Sequence, residues 1–160
     1  MSTQTELIEE RVPLKSRIWV SVADAACAML NTFVVSIGLT YYFTSYRGLD
    51  AKLAATVWIL FGIWNAVNDP LFGFISDRTK SELGRRIPYI RYGAPIFGLA
   101  FIFSWINLGG VHASQTVMFI QMVGLLFVFD SLYTAIATSI YVMPFEMAVS
   151  NKARSSIFIW

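Results

Sequence analysis

The chain has 160 residues, of which 56% are hydrophobic, 16% aromatic and only 14% charged, and its mean hydropathy is +0.60. A soluble domain carries about 25% charged residues, so this composition excludes an ordinary soluble protein. The charged residues are concentrated in three short stretches, at 1–17, 77–91 and 146–154, and the long runs between them are almost free of charge. This pattern is typical of a protein embedded in a membrane.

The first 17 residues are polar and include Glu6, Glu9, Glu10, Arg11 and Lys15. A cleavable signal peptide needs an early apolar core, which this stretch lacks. We therefore expect residues 1–17 to be a cytoplasmic tail and the first apolar segment to be a retained membrane anchor.

Four apolar segments are long enough to cross a bilayer, because a hydrocarbon core of about 30 Å needs about 20 helical residues. They cover 18–43, 53–75, 87–108 and 116–143, and a fifth begins near residue 155. The connections between them are short, so neighbouring helices must run antiparallel and no extramembrane domain fits between them. The sequence predicts an all-α, multi-pass protein of the cell membrane, surrounded by lipid.

The basic residues predict the orientation of these helices. Of the 12 Lys and Arg residues, all except Arg47 and Lys52 fall on one side of a four-span arrangement. Short cytoplasmic loops carry the excess of Lys and Arg, so the N-terminus and the loop after the second span are predicted to be cytoplasmic. Because topology explains the basic loop, nucleic-acid binding is not indicated.

Three carboxylates, Asp24, Asp69 and Asp130, fall within the predicted spans. An ionised Asp near the middle of a membrane helix costs roughly 2.5 to 3.5 kcal/mol, so such residues usually face a cavity or a partner and mark an ion or substrate path. Three of them in one short chain indicate function.

Asp69 is the strongest of the three candidates, because it follows Asn65 by four residues and therefore lies on the same helical face. Carboxylate and amide oxygens suit a small hard cation, so Asn65 and Asp69 are predicted to bind a coupling ion, either Na⁺ or H⁺. The alternative is that Asp69 caps the helix or pairs with a basic loop residue.

Asp130 lies near the middle of the fourth span, Asn31 lies deep in the first, and Asp24 is about two turns from the cytoplasmic end. We predict that these three residues line a substrate or proton cavity. Asp24 could instead pair with an arginine, and Asn31 could instead form an interhelical hydrogen bond.

No pattern of residues indicates an enzyme, a bound cofactor or a metal centre. Cys27 lies alone in an apolar run and His112 lies alone beside two glycines, so neither has the second ligand that a metal site needs. The sequence also lacks a nucleophile with a nearby base and a phosphate-binding loop.

The junction after the second span reads Gly73-Phe-Ile-Ser-Asp77-Arg78 and continues to Gly84-Arg85-Arg86-Ile-Pro88. It resembles the signature loop between the second and third helices of major facilitator transporters. The preceding stretch, Trp64 to Pro70, and the flanking Tyr41-Tyr42-Phe43-Thr44 narrow the resemblance to the glycoside-pentoside-hexuronide:cation symporters, the relatives of the melibiose permeases. The resemblance extends over nearly the whole chain.

This resemblance implies that Asp69 holds the coupling cation and that four loop residues form a cytoplasmic charge network that gates alternating access. The four are Asp77, Arg78, Arg85 and Arg86. Asn65 stands where melibiose permeases have a second carboxylate. Asp24 and Asp130 do not match the carboxylates that bind sugar in those permeases, so a sugar as solute follows from the family alone.

Members of this family have two bundles with twelve spans in total, and alternating access needs both bundles. We therefore expect residues 18–160 to be a partial N-terminal bundle whose partners are the remaining helices, a small solute and the coupling cation. The expected function is symport of a small solute, sugar or glycoside, with a cation. The alternative is a non-transporting membrane scaffold or partner-binding protein.

Overall fold

The computed structural model describes residues 13–110 and 113–147, so the predicted tail at 1–12, His112 and the fifth segment near 155 lie outside the described residues. Within the described ranges the fold is all-α. Its helices are α1, Leu14–Tyr46, α2, Ala51–Arg78, α3, Ile87–Phe103, and α4, Gln115–Met147. Two stretches, Leu14–Tyr46 and Gln115–Met143, are long and apolar enough to cross a membrane, and α3 is a shorter apolar helix.

Helix α1 contains two wider π-helical stretches, Phe33–Gly38 and Tyr42–Tyr46. Gly38 ends the first of them. A methyl group at this position would collide with the carbonyl oxygen of Phe33 and would lie 2.9 Å from the ring of Trp105. Glycine is therefore needed here, because it lets α1 widen and lets the chain after α3 approach it closely.

Helix α2 begins at a well-formed cap. The carboxylate of Asp50 accepts a hydrogen bond of 2.8 Å from the backbone N–H of Lys52. The helix then continues past the internal Pro70 to Arg78 without interruption. It therefore extends over the predicted span 53–75 and carries Asn65, Asn68, Asp69 and Asp77 on one continuous element.

Helix α3 ends at Phe103, although the apolar run predicted a helix that continues to residue 108. Trp105 and Ile106 form tight turns back to Ile102 and Phe103, and the glycines at 109 and 110 have positive φ angles of 88° and 67°. The predicted segment therefore extends five residues beyond the end of the helix. Backbone carbonyls in these five residues form tertiary hydrogen bonds instead of helical ones. Tyr42, for example, donates from its hydroxyl to the carbonyl of Trp105 over 3.0 Å.

Helix α4 is the centre of the bundle and packs against α1, α2 and α3. Its fully buried side chains recur every three or four residues, as expected for one face of a helix. Met118, Met122, Leu126 and Phe129 form the apolar part of this face. Asp130 and Thr134 continue the same buried face, so the packing of α4 brings a carboxylate and a hydroxyl into the core.

The loop between α1 and α2 is tied to the segments around α4. Arg47 donates to the side-chain oxygen of Gln121 and to the carbonyl of Leu108. Gln115 donates to the carbonyl of Gly48 over 2.8 Å and accepts from the backbone N–H of Asp50. These bonds join the α1–α2 pair to the α3–α4 pair at one end of the bundle.

Candidate functional site

A group of four polar side chains joins α2 to α4 inside the bundle, and we call it the mid-bundle cluster. It consists of Asn68, Asp69, Asp130 and Thr134. The amide nitrogen of Asn68 donates to Oδ2 of Asp130 over 3.0 Å and to Oγ1 of Thr134 over 3.1 Å. The hydroxyl of Thr134 in turn donates to Oδ1 of Asp69 over 2.9 Å.

The members of the cluster differ in burial. Asn68 is 0% exposed, Asp130 5% and Thr134 4%, whereas Asp69 is exposed. Within the described part of the chain, no Lys or Arg side chain forms an ion pair with Asp69 or Asp130. The cluster therefore combines two carboxylates with neutral partners only, which is a costly arrangement away from water.

The local sequence explains why these side chains meet. Asp130 and Thr134 are four residues apart on α4 and therefore project from one face, while Asn68 and Asp69 are neighbours on α2. One turn away, the rings of Trp64 and Phe127 stack with a centroid distance of 4.8 Å and an interplanar angle of 9°. This stacked pair holds α2 against α4 beside the cluster.

Carboxylate, hydroxyl and amide oxygens are the atoms that hard cations prefer as ligands. The side chains of the mid-bundle cluster carry all three kinds of oxygen, and direct hydrogen bonds join these side chains to one another. Chemically, the cluster can accept a small cation or a proton.

The second polar site lies where α2 ends and α3 begins, and we call it the charged end. The guanidinium of Arg86 pairs with Oδ1 of Asp77 over 2.8 Å and donates to the hydroxyl of Ser76 over 2.9 Å. Arg86 is 9% exposed. The guanidinium of Arg78 instead lies over the ring of Phe74, 3.9 Å from its centroid.

A profile of the MFS/sugar transport protein family matches residues 20–160. This chain belongs to that family. The match covers most of the chain and confirms the resemblance drawn from the junction motif, so the protein is an integral membrane protein of the major facilitator type.

Curated relatives agree with this family. An uncharacterised symporter of Synechocystis is 34% identical over 157 residues, covering 94% of this chain and 28% of its own length. A putative glycoside/cation symporter of Escherichia coli is 24% identical, covering 94% of this chain and 32% of the relative. A lactose permease of Lactobacillus delbrueckii is 24% identical, covering 82% and 21%.

The chain spans less than a third of the length of these curated relatives. No solved structure matches it.

The structure of this transporter-family chain brings Asp69 together with Thr134 rather than with Asn65. Asn65 is half-buried, and in the described ranges its side chain has no hydrogen-bond partner. The amide that contacts a carboxylate is that of Asn68, three residues later, and this carboxylate is that of Asp130. The assignment of Asn65 and Asp69 as a cation-binding pair stays a prediction.

The two candidates on α1 form no hydrogen bond to the cluster within the described ranges. Asp24 is exposed, and Asn31 is half-buried with a buried Oδ1 that has no hydrogen-bond partner among the described residues. Neither forms a described hydrogen bond to Asp130. Their predicted role in a substrate or proton cavity, together with that of Asp130, stays a prediction.

The predicted charge network is divided in the structure. Asp77 and Arg86 form a direct pair, Arg78 contacts an aromatic ring, and the side chain of Arg85 is exposed. The gating role of these four residues stays a prediction.

Sequence reasoning missed three residues: Asn68, Thr134 and Ser76. Asn68 was visible beside Asp69, and Thr134 lies one turn after Asp130. The spacing of four on α4 was therefore a usable signal that a hydroxyl accompanies the buried carboxylate. Ser76 immediately precedes the motif residue Asp77.

Proposed function

We propose that this chain is the N-terminal part of a symporter that moves a small solute, a sugar or glycoside, together with a coupling cation by alternating access. The observation that supports the proposal most strongly is the mid-bundle cluster, since two intramembrane carboxylates with neutral partners favour binding of a cation. The names of the relatives, a glycoside/cation symporter and a lactose permease, support the same class of solute.

In this proposal Asp69 is the accessible carboxylate of the cation site. Its side chain is exposed, while one of its oxygens accepts from Thr134. A cation that reaches Asp69 therefore meets a carboxylate that already contacts α4. Its binding would neutralise charge between α2 and α4 and favour the closely packed arrangement of the two helices.

The charged end would face the cytoplasm, as the distribution of Lys and Arg favours. The Asp77–Arg86 pair fixes the connection between α2 and α3. We assign Arg78 and Arg85, which are exposed at the same end, to the cytoplasmic gate together with that pair. The gate would act against the helices that complete the transporter.

The test uses the whole transporter in proteoliposomes, with uptake of radiolabelled lactose and glycosides driven by an imposed cation gradient. Asp69→Asn is expected to abolish gradient-driven accumulation, because it removes the charge of the accessible ligand while leaving its shape. The matched control is Asp50→Asn, which makes the same chemical change at the cap of α2, where Asn is an equally good cap.

Accumulation by Asp69→Asn at the level of the unchanged transporter would contradict the proposed role. Replacing Na⁺ with choline at fixed pH separates the two coupling ions, since uptake that persists without Na⁺ indicates protons. A reading frame that ends at Trp160 would favour the alternative, a membrane scaffold, whereas a frame that continues through about eight further hydrophobic spans would support the transporter.

A further inference from the structure

We infer that Asp130 is the second carboxylate of the cation site, and that Asn68 exchanges its amide nitrogen for its amide oxygen when an alkali metal cation of the Na⁺ class binds. This inference rests on the proposed function and deepens it, because it assigns the site to two helices and to one class of ion. Asp130 is thereby moved from the predicted solute cavity to the ion site.

The first argument is the burial of Asp130. Its side chain is 5% exposed, and its described hydrogen-bond partner is the neutral amide of Asn68. A buried carboxylate is stabilised mainly by a positive charge, and no Lys or Arg supplies one among the described residues. A bound cation would supply that charge.

The second argument is the arrangement of acceptors around one point. The nitrogen of Asn68 lies within hydrogen-bond distance of Asp130 and Thr134, and Thr134 is bonded to Asp69. The amide nitrogen of Asn68 therefore brings the oxygens of Asp130 and Thr134 towards one point. A metal cation near that point would attract the same two oxygens, and the exposed Asp69 would supply a third oxygen ligand.

The third argument is the unpartnered oxygen of Asn68. This residue is 0% exposed, and its Oδ1 has no hydrogen-bond partner among the described residues. A buried amide oxygen without a partner is unfavourable, and a half-turn of the amide exchanges the positions of its oxygen and nitrogen. After that half-turn the oxygen faces the acceptor oxygen of Asp130, and a cation placed between these two oxygens would hold them together.

These contacts favour a metal ion over a proton. A proton needs a single carboxylate, whereas a metal ion uses several oxygens at once. Asp69, Asp130, Thr134 and the turned amide of Asn68 offer one oxygen each from four side chains. A proton on Asp130 would need one acceptor, the turned amide oxygen of Asn68, and would leave Asp69 and the oxygen of Thr134 without a role.

The experiment is calorimetric titration of the purified whole transporter with NaCl, with choline chloride keeping the ionic strength constant. Asp130→Asn is expected to weaken Na⁺ binding at least tenfold, while solute affinity at saturating Na⁺ changes less than threefold. Asn68→Leu, which removes the amide, is expected to weaken Na⁺ binding to a similar degree. The control is Ser139→Ala, because Ser139 is buried on the same helix but bonds only its own backbone, at Ala135.

Na⁺ affinity that is unchanged in Asp130→Asn would overturn the inference. So would a loss of solute affinity with Na⁺ affinity retained, since Asp130 would then contact the solute. If Asp130→Asn does not fold, Asp130→Glu decides: a changed ratio of Na⁺ to Li⁺ affinity supports the inference, and an unchanged ratio overturns it.

Failure of the proposed function is distinguishable from failure of this inference. If the unchanged transporter shows no cation-driven uptake, the proposed function fails. If Asp69→Asn loses Na⁺ binding and Asp130→Asn keeps it, only the second carboxylate is wrong. Uptake driven by protons, with no binding of Na⁺, would overturn the choice of ion.

Discussion

Helix α2 contributes to two polar sites, and a basic side chain is present at one of them and absent, among the described residues, from the other. At the charged end, Asp77 pairs with Arg86, so its charge is balanced within the protein. In the mid-bundle cluster, eight residues earlier and about 12 Å along the helix, Asp69 and Asp130 are bonded to a hydroxyl and an amide. Both sites contain aspartate carboxylates, but the partner is positively charged at the charged end and neutral in the mid-bundle cluster.

The difference implies that Asp77 has a structural role, whereas Asp69 and Asp130 are available to a ligand. The Asp77–Arg86 pair stabilises the turn into α3 and leaves no charge to be neutralised. The mid-bundle cluster lacks a positive partner among the described residues, so an ion from outside has a thermodynamic reason to bind there. If the comparison is correct, changes of charge should alter cation binding at one site and stability at the other.

The largest expected effect comes from giving the mid-bundle cluster a basic side chain of its own. In Asn65→Lys the new ammonium lies one turn before Asp69 and can pair with it, as Arg86 pairs with Asp77. We expect Na⁺ affinity of the whole transporter to fall by about 100-fold, because two competing positive charges near 4 Å apart repel by about 4 kcal/mol at an effective dielectric constant of 20, before solvent screening. Titration calorimetry measures this effect.

The control for this variant is Asn65→Gln, which has similar polarity and no charge. It is expected to keep Na⁺ affinity within about threefold, since Gln keeps the amide oxygen that the predicted pair supplies and adds no repulsion. Equal losses in both variants would mean that the shape of position 65, rather than charge, is responsible.

A smaller effect is expected from the hydroxyl that connects the two carboxylate-bearing helices. Thr134→Val keeps the size of the side chain and removes the bond to Asp69 and the acceptor for Asn68. One lost hydrogen bond to a charged group is worth roughly 1.5 to 3 kcal/mol, so Na⁺ affinity should fall about tenfold or more. Ser139→Ala removes a hydroxyl that bonds its own helix, and it should leave Na⁺ affinity unchanged.

The smallest effect on cation binding is expected at the charged end. Arg86→Met removes the pair with Asp77 and the hydrogen bond to Ser76, and we expect it to lower the free energy of unfolding by roughly 1 to 2 kcal/mol, because Asp77 is partly solvated. Na⁺ affinity should change less than threefold. Thermal denaturation in detergent measures the loss of stability, and Lys80→Met, at an exposed loop position, should be as stable as the parent.

The helices themselves were predictable because apolar runs of bilayer length are bounded by charges and glycines. The end of α3 was not predictable, since Trp105, Ile106 and Leu108 continue the apolar run while their backbone carbonyls form tertiary hydrogen bonds. Hydropathy records where a segment can be buried, and it does not record where the helical hydrogen bonds stop.

The site could be predicted in part. Asp69 and Asp130 were visible as charges in apolar segments, but their partners are separated from them by 65 and 62 residues in the sequence. Asn65 and Asn68 lie near the same side of α2, and the packing angle against α4 decides which of them reaches Asp130. Similarly, the chain turns at Gly84, with a φ of 91°, before Arg86 pairs with Asp77, and the spacing of the arginines in the sequence does not indicate this pair.

The central claim is that the mid-bundle cluster, and not the charged end, binds the coupling cation. The most direct measurement is equilibrium binding of radioactive ²²Na⁺ to the purified whole transporter without solute, comparing Asp69→Asn with Asp77→Asn. We predict that Asp69→Asn weakens binding at least tenfold and that Asp77→Asn leaves it within about twofold. Equal binding by Asp69→Asn and the unchanged protein, or an equal loss in both variants, would contradict the claim.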